Sequence, residues 1–144
     1  MSAEEEVRRA SEDFYVALNR MANGDANSLA DIWSHSEEVT AMHPVGGRHV
    51  GWHAIRESFE KVSQLASGGN IALHDQLIQV AGDVAYEVGV ERGELTMGGH
   101  QTSIDHRVTN LYHREAGTWK MIHHHTDISP EMLEVLSRLQ AEQS

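Results

Sequence analysis

The sequence predicts an α+β fold in which N-terminal helices pack on one face of a curved antiparallel sheet and a further helix follows the sheet. Three observations lead to this expectation. Apolar residues at helical spacing dominate the first half of the chain, and alternating strand patterns joined by short glycine turns dominate the second half. A helix start signal then follows the last strand. Successive strands with short turns form an antiparallel meander, and helices gathered on one face cover it.

Apolar spacing identifies three helices and one short strand ahead of the long strands. In the first helix, Val7, Phe14 and Met21 recur at a spacing that places them on one face, and Gly24 follows as an end signal. Pro44 and the glycines after it stop the short strand. The expected elements are helices over residues 4–23, 27–33 and 52–65 and a strand over residues 39–43.

Four strands and a final helix are expected in the second half. The strands cover residues 71–80, 84–95, 102–114 and 119–126. The turns between them contain Gly82, Gly98 and Gly117, as short hairpin turns favour. The last helix begins at Ser129 and Pro130, because serine caps a helix N-terminus and proline suits the first helical position.

Composition restricts the classes of function. The 144 residues suffice for one domain with its own core, expected to span residues 1–144, and the chain contains no cysteine, which excludes a thiolate nucleophile and a thiolate metal site. Eleven lysine and arginine residues against 22 aspartate and glutamate residues give a net charge of −11, which argues against nucleic acid and anionic membrane as partners. The acidic N-terminus and the lack of an apolar run of about 20 residues predict a cytoplasmic protein.

A run of three histidines and an aspartate ends the last predicted strand, at His123, His124, His125 and Asp127. Strand alternation sends His123, His125 and Asp127 to one face and His124 to the other. Histidine has an unperturbed pKa near neutrality and is a common metal ligand, so this run suggests chemistry. The alternative interpretation is a polar strand end that faces water.

Six short segments of the chain resemble sequence motifs of a known protein family. They are VTAMHP at residues 39–44, GGRHVGW at 46–52, GDVAY at 82–86, RVTN at 107–110, REAGTWK at 114–120 and IHHHTD at 122–127. With the predicted order of elements, they resemble SnoaL-like proteins of the nuclear transport factor 2 and ketosteroid isomerase superfamily. The last segment is also similar to the association domain of calcium/calmodulin-dependent kinase, which has no acidic residue at the position of Asp127.

The resemblance implies a cone-shaped fold with a small-molecule pocket between the concave sheet face and the helices. The superfamily includes isomerases, cyclases, dehydratases, epoxide hydrolases and non-catalytic assembly domains, so the fold alone does not select a function. Alternation and apolar character assign inward faces to Tyr86, Val88, Val90, Ile104, His106, Val108, Asn110, Tyr112, Trp119, Met121, His123 and His125. The opposite faces carry Glu87, Glu91, Asp105, Arg107 and His124, unless a bulge reverses part of a strand.

Candidate catalytic residues follow from this orientation. We expect His43 or His125 as general base, with His123 beside it and Asp127 orienting a histidine. His43 stands near the point where ketosteroid isomerase-type relatives have a carboxylate base, and this departure argues against steroid isomerisation. The ordinary alternative for His43 is a strand-end histidine bonded to the backbone. The expected substrate-binding residues are Tyr15, Trp33, Tyr86, Glu91, Arg107 and Asn110.

These expectations favour a cofactor-independent isomerase, lyase, cyclase or epoxide hydrolase that acts on a small organic molecule. One alternative is a non-catalytic module for small-ligand binding or assembly, because a polar cone suits both roles. A second alternative is a metal-assisted enzyme in which His123, His125 and a third ligand hold the ion. A homodimer is expected through the outer sheet face, with Ile78, Leu111 and Ile122 partly buried in the contact.

Overall fold

The computed structural model describes residues 1–143 as helices packed against one sheet. The helices are α1 (Ala3–Ala22), α2 (Leu29–Ile32), α3 (Trp52–Leu65) and α4 (Pro130–Glu142). The strands are β1 (Thr40–His43), β2 (Gly46–Val50), β3 (Ala66–Ala81), β4 (Val84–Met97), β5 (His100–Glu115) and β6 (Thr118–Thr126). The α+β prediction with N-terminal helices and a C-terminal helix is therefore confirmed.

The six strands form one mixed sheet in the order β2-β1-β6-β5-β4-β3. The four long strands pair antiparallel with one another, as predicted, but the short strand β1 runs parallel to β6. Two further details differ from the prediction. The glycine loop after Pro44 forms strand β2, and β3 begins at Ala66 instead of residue 71. Glycines in these segments adopt strand pairings that their propensity does not indicate.

Helix ends follow the expected capping chemistry. The hydroxyl of Ser2 accepts a hydrogen bond from the backbone amide of Glu5 at 3.1 Å and caps α1. Ser129 accepts from the amide of Met132 at 3.2 Å and caps α4, with Pro130 in its first turn, as predicted. Helix α1 lies across the sheet and buries its apolar stripe, including Phe14, against one sheet face, which we call the inner face. The opposite side is the outer face.

An irregularity in β6 reverses the side chains of the histidine run. Tyr112 pairs with Met121, but the preceding residue Leu111 pairs with His123, so Ile122 is an extra residue in β6. A bulge of this kind changes which residues face inward beyond it. His124 therefore points inward and is 3% exposed, next to Asn110 of β5. The predicted inward orientation of His123 and His125 is wrong, because simple alternation ignores the bulge.

The predicted orientation of β4 is also wrong. Glu87 pairs with Asn110 and Glu91 pairs with His106, and all four side chains are buried on the inner face. Tyr86 is the neighbour of Glu87 in the strand, so its side chain lies on the outer face, where it is 46% exposed. The predicted positions on β5, by contrast, agree with the structure.

One apolar residue of the expected dimer surface also lies on the other side. Ile78 pairs with Glu87 across β3 and β4 and is 6% exposed, so it belongs to the inner face and not to the outer one. Leu111 is only partly buried and lies on the outer face, beside Ile122 and His123. None of the helices within residues 1–143 combines the length and apolar character that crossing a membrane requires.

Candidate active site

A buried carboxylate on β4 connects helix α1 to β5. One Glu91 oxygen accepts a hydrogen bond from the Tyr15 hydroxyl at 2.8 Å, and the other lies 2.7 Å from Nε2 of His106. Glu91 and His106 are 3% and 6% exposed. Because a carboxylate can only accept, the proton of a neutral His106 lies on Nε2, and Nδ1 carries the lone pair. Nδ1 is itself buried and has no hydrogen-bond partner among the described residues.

A second carboxylate extends this network deeper into the sheet. Glu87 accepts hydrogen bonds from the side chains of Asn110 at 2.9 Å, Tyr112 at 3.1 Å and Gln76 at 2.6 Å. The amide nitrogen of Asn110 also donates to the Tyr15 hydroxyl at 3.2 Å, which joins the two carboxylates into one network. Buried carboxylates need such partners, because an unpaired buried charge is strongly unfavourable.

Two further histidines have defined tautomers. The oxygen of the Asn110 amide lies 2.6 Å from Nδ1 of His124, so Nδ1 of His124 donates and Nε2 carries the lone pair. The hydroxyl of Ser58 donates to the carbonyl of Ile55 at 2.6 Å. Ser58 has only that one proton, and its oxygen therefore accepts from Nε2 of His43 at 2.8 Å. Nδ1 of His43 consequently carries the lone pair.

Burial sets the charge states of this site. Burial lowers the pKa of His43 to about 3 and that of His124 to about 4, so both rings are neutral near pH 7. Burial and the adjacent Glu91 charge raise the pKa of Tyr15 well above its usual value, so its phenol stays a donor. Burial raises the pKa of Glu91, but the hydrogen bonds from His106 and Tyr15 outweigh it, and the net pKa is lowered. Glu91 is therefore an ionised carboxylate.

These side chains border a small inner chamber of about 50 Å³. Its polar lining residues are His43, Glu91, His106 and His124, and the rest of the lining is apolar or proline, with Phe59, Ile104 and Met132 among it. A second compartment of about 360 Å³ shares His43, Val45 and Val62 with the chamber. We call this second compartment the vestibule. Ligand sites usually measure about 300–1,000 Å³, so a bound molecule would extend from the vestibule into the chamber.

A family comparison agrees with this architecture. The model of the SnoaL-like domain matches residues 7–129, which include every residue of the polar network. The chain belongs to the SnoaL-like family. No curated protein matches it in sequence.

Solved structures show the same fold for this SnoaL-like chain. A suggested dehydratase of the nuclear transport factor 2-like family from Streptomyces avermitilis has a TM-score of 0.75 and 21% identity, over 88% of this chain and 95% of that one. A nuclear transport factor 2-like superfamily protein from Salmonella enterica reaches 0.77 at 17% identity, over 86% and 89%. The CaMKII hub of S. rosetta reaches 0.71 at 19% identity, over 90% and 98%.

Several residues predicted for the site come together in the SnoaL-like cone. His43 and Glu91 line the inner chamber, and Tyr15 and Asn110 support it from the polar network. Trp33 is fully buried in the core, where it packs on Trp52 and Phe59. Its indole nitrogen has no partner among residues 1–143. Trp33 therefore packs behind the chamber and does not line it.

Other predicted site residues lie outside the chamber, on the outer face or at its edge. Asp127 holds the exposed Arg107 side chain through two hydrogen bonds of 2.9 and 3.1 Å, and Arg107 lowers the pKa of Asp127 to about 2. The placement of both in the pocket is thus wrong, as is that of Tyr86, His123 and His125. For Tyr86, His123 and His125 the cause is the reversed orientation of β4 and β6 described above, whereas Arg107 faces outward as alternation predicted and no bulge turns it inward.

The outer-face histidines form a pair of their own. The ring centroids of His123 and His125 are 6.0 Å apart, and Thr40 lies 2.6 Å from Nδ1 of His123. Burial and the neighbouring His125 lower the pKa of His123. Over residues 1–143, no group of three or more histidine, aspartate or glutamate side chains is arranged to hold a metal ion. The third ligand expected for the pair is therefore not provided by these residue types.

Sequence reasoning missed His106, His124 and Glu87 as members of the site. His106 was predicted to face inward, and its cross-strand pairing with Glu91 is the signal that could have identified it. His124 could be identified only with knowledge of the bulge at Ile122. Glu87 was assigned to the outer face with the other acidic residues of β4.

Proposed function

We propose that this SnoaL-like protein is a cofactor-independent enzyme that performs histidine acid–base chemistry on a small molecule, of the isomerase or dehydratase type. The observation that carries the proposal is the buried pair of Glu91 and His106, in which Nδ1 of His106 has no hydrogen-bond partner among the described residues. Perturbed, buried ionisable groups beside a cavity are typical of functional sites. The suggested dehydratase among the similar folds is consistent with this class.

His106 is the best candidate for the general base. A proton taken up at Nδ1 makes an imidazolium ion, and the Glu91 carboxylate 2.7 Å from Nε2 would stabilise that charge. The hydrogen-bond partners of His43 and His124 are the neutral side chains of Ser58 and Asn110, which offer no such compensation. Burial also lowers the pKa values of His43 and His124 well below that of free histidine, which makes both weak bases.

The remaining network residues would fix the geometry of the reaction. Glu91 holds His106 in the tautomer with a free Nδ1, and Tyr15 holds the second oxygen of Glu91. In the proposed cycle, Nδ1 of His106 accepts a proton from the substrate. The same nitrogen then returns it to another carbon in an isomerisation or to a leaving hydroxyl in a dehydration.

The test is a comparison of His106→Ala with His125→Ala, after a screen of small hydroxy and carbonyl compounds identifies a turnover. Removal of a general base typically lowers the rate by about 10²- to 10⁴-fold, so His106→Ala should lose activity on that scale. His125 lies on the outer face, and His125→Ala should retain the activity. Equal activity of His106→Ala and the parent protein would refute the assignment.

A non-catalytic ligand-binding or assembly role is the second candidate, and a homodimer belongs to either proposal. The similarity to the CaMKII hub fold favours assembly. The outer face also favours it, because Leu77 and Tyr86 are exposed there beside Val88 and Val90. Exposed apolar groups on one sheet face are suited to a two-fold partner. Light scattering at micromolar concentration should give the mass of two chains, and the mass of one chain would contradict the dimer.

A further inference from the structure

With its three histidines neutral, the inner chamber offers hydrogen-bond acceptors but no free donor. Three bare imidazole nitrogens belong to its lining residues: Nδ1 of His43, Nδ1 of His106 and Nε2 of His124. Each assignment follows from the partner of the other ring nitrogen, which is Ser58, Glu91 or Asn110 respectively.

The donors next to the chamber are already committed. The Tyr15 hydroxyl donates to Glu91, and the Asn110 amide donates its two protons to Glu87 and to Tyr15. The residues described as lining the chamber include no lysine or arginine. Glu91 places a negative charge at the chamber wall, and Glu87 adds a second carboxylate behind it.

We propose that the chamber selects the donor-bearing end of a neutral, mostly apolar molecule, namely a hydroxyl group, and rejects a carboxylate or phosphate. This substrate class deepens the function proposed above and rests on it for the chemistry, but the selection itself rests on the chamber lining. A hydroxyl hydrogen would satisfy the unpaired Nδ1 of His106. An anion would instead meet bare nitrogens and a carboxylate with no cation to compensate it.

The vestibule fits the remaining part of such a molecule. Its apolar lining includes Val45, Val62 and Leu136, and its charged side chains, Lys61 and Glu57, are of opposite sign. A mostly apolar body can lie there while the hydroxyl group enters the chamber past His43, which borders both compartments. The chamber of about 50 Å³ has room for a hydroxyl and little more, so the polar selection operates at the end of the ligand.

The first experiment reads the tautomers in the free protein by nitrogen-15 NMR of the histidine rings near pH 7. The expected result is a proton on Nε2 of His43 and His106 and on Nδ1 of His124. A proton on the opposite nitrogen of any two of these rings would place donors at the chamber and overturn the inference. This measurement does not depend on finding a substrate.

The second experiment compares three matched probes, benzyl alcohol, benzyl methyl ether and benzoate, by NMR titration. Benzyl alcohol should bind at millimolar concentration, and the ether and benzoate should each bind at least about tenfold more weakly, because neither offers a donor to the unpaired acceptors. Benzoate or ether binding as well as the alcohol, or no binding of the alcohol, would overturn the inference.

Matched variants locate the selection. His106→Leu removes the acceptor assigned to the hydroxyl hydrogen and should reduce the alcohol preference severalfold, whereas His125→Leu makes the same change on the outer face and should preserve it. If His106→Leu does not fold, His106→Phe keeps the ring shape without an acceptor and serves the same purpose. An alcohol preference unchanged by loss of a chamber histidine contradicts the proposal. If the protein prefers the alcohol but turns over no substrate, the proposed enzyme function is contradicted and the selection is not. If the protein turns over anionic substrates, the selection is contradicted and the enzyme function is not.

Discussion

The strongest quantitative prediction concerns the pH dependence of folding when His124 is replaced by glutamine. Glutamine keeps a donor for the Asn110 oxygen but cannot take up a proton. In the parent protein, His124 is buried and its pKa is lowered from 6.5 to about 4. Between these two values the unfolded chain binds more protons than the folded chain at this site, and the free energy of unfolding therefore falls as the pH falls.

The magnitude follows from that pKa difference. At pH 5 the unfolded imidazole is mostly protonated and the folded one mostly neutral, so His124 lowers the free energy of unfolding by about 2 kcal/mol relative to pH 7. This contribution is absent from His124→Gln. His43 titrates in both proteins, and its contribution cancels to first order in the comparison. The lowered pKa of Glu91 lies below this pH window and adds little to it.

The assay is urea denaturation of the parent and His124→Gln at pH 7 and pH 5, with His125→Gln as the matched control. We expect His124→Gln to lose about 2 kcal/mol less than the parent between the two pH values, whatever its stability at pH 7. His125→Gln should keep the loss that His124 causes, because His124 and its Asn110 partner are unchanged in this variant. If His125→Gln removes the pH dependence and His124→Gln retains it, the bulge at Ile122 is wrongly described.

Three further outcomes are expected from the same geometry. Glu87→Gln turns an amide group toward donors and should lower the free energy of unfolding by about 1–3 kcal/mol in urea, with His125→Gln again as the unaffected control. Gly93→Ala should lower the free energy of unfolding by more than about 3 kcal/mol or prevent folding, because Gly93 has a φ of 151° and an added Cβ would overlap the carbonyl oxygen of Asn70. A stable Gly93→Ala variant would contradict the pairing of β3 with β4. Arg107→Ala should raise the pKa of Asp127 from about 2 toward its ordinary value in carbon-13 NMR without changing turnover, and a loss of turnover would return Arg107 to the site.

The sequence predicted the order of elements and the boundaries of most of them, because apolar spacing and glycine turns are local signals. It also predicted that His43, Tyr15, Glu91 and Asn110 belong near one pocket, although Glu91 was assigned to the wrong face. The bulge at Ile122 has no comparable local signal. It depends on how β6 aligns with β5, and a single extra residue exchanged the roles of His124 and His125.

The error on β4 has a different cause. In the middle of this strand, the inner face contains Glu87, Gly89, Glu91 and Gly93 and the outer face contains Val88 and Val90, while the apolar inner residues lie toward the strand ends. A count of apolar residues in the middle of β4 therefore assigns the wrong face of the strand to the core. The inner glycines are required by close packing, since a Cβ at Gly89 would lie 2.7 Å from the carbonyl oxygen of His74. The inner carboxylates are acceptable because Tyr15, His106 and other donors reach them from neighbouring elements, which no window on β4 alone can show.

This arrangement also bears on function. Taken alone, the middle of β4 favours the opposite orientation, with Val88 and Val90 buried and Glu87 and Glu91 exposed, although the ends of the strand oppose it because Leu95 and Met97 would be exposed. The structure instead buries Glu87 and Glu91, and a buried ion pair or carboxylate network is often no more stable than an apolar replacement. Conflicts between local preference and the fold are expected at functional sites. The carboxylates of β4 are consequently better explained by what they do for His106 and Asn110, holding one tautomer and one amide orientation beside the chamber, than by the stability they add.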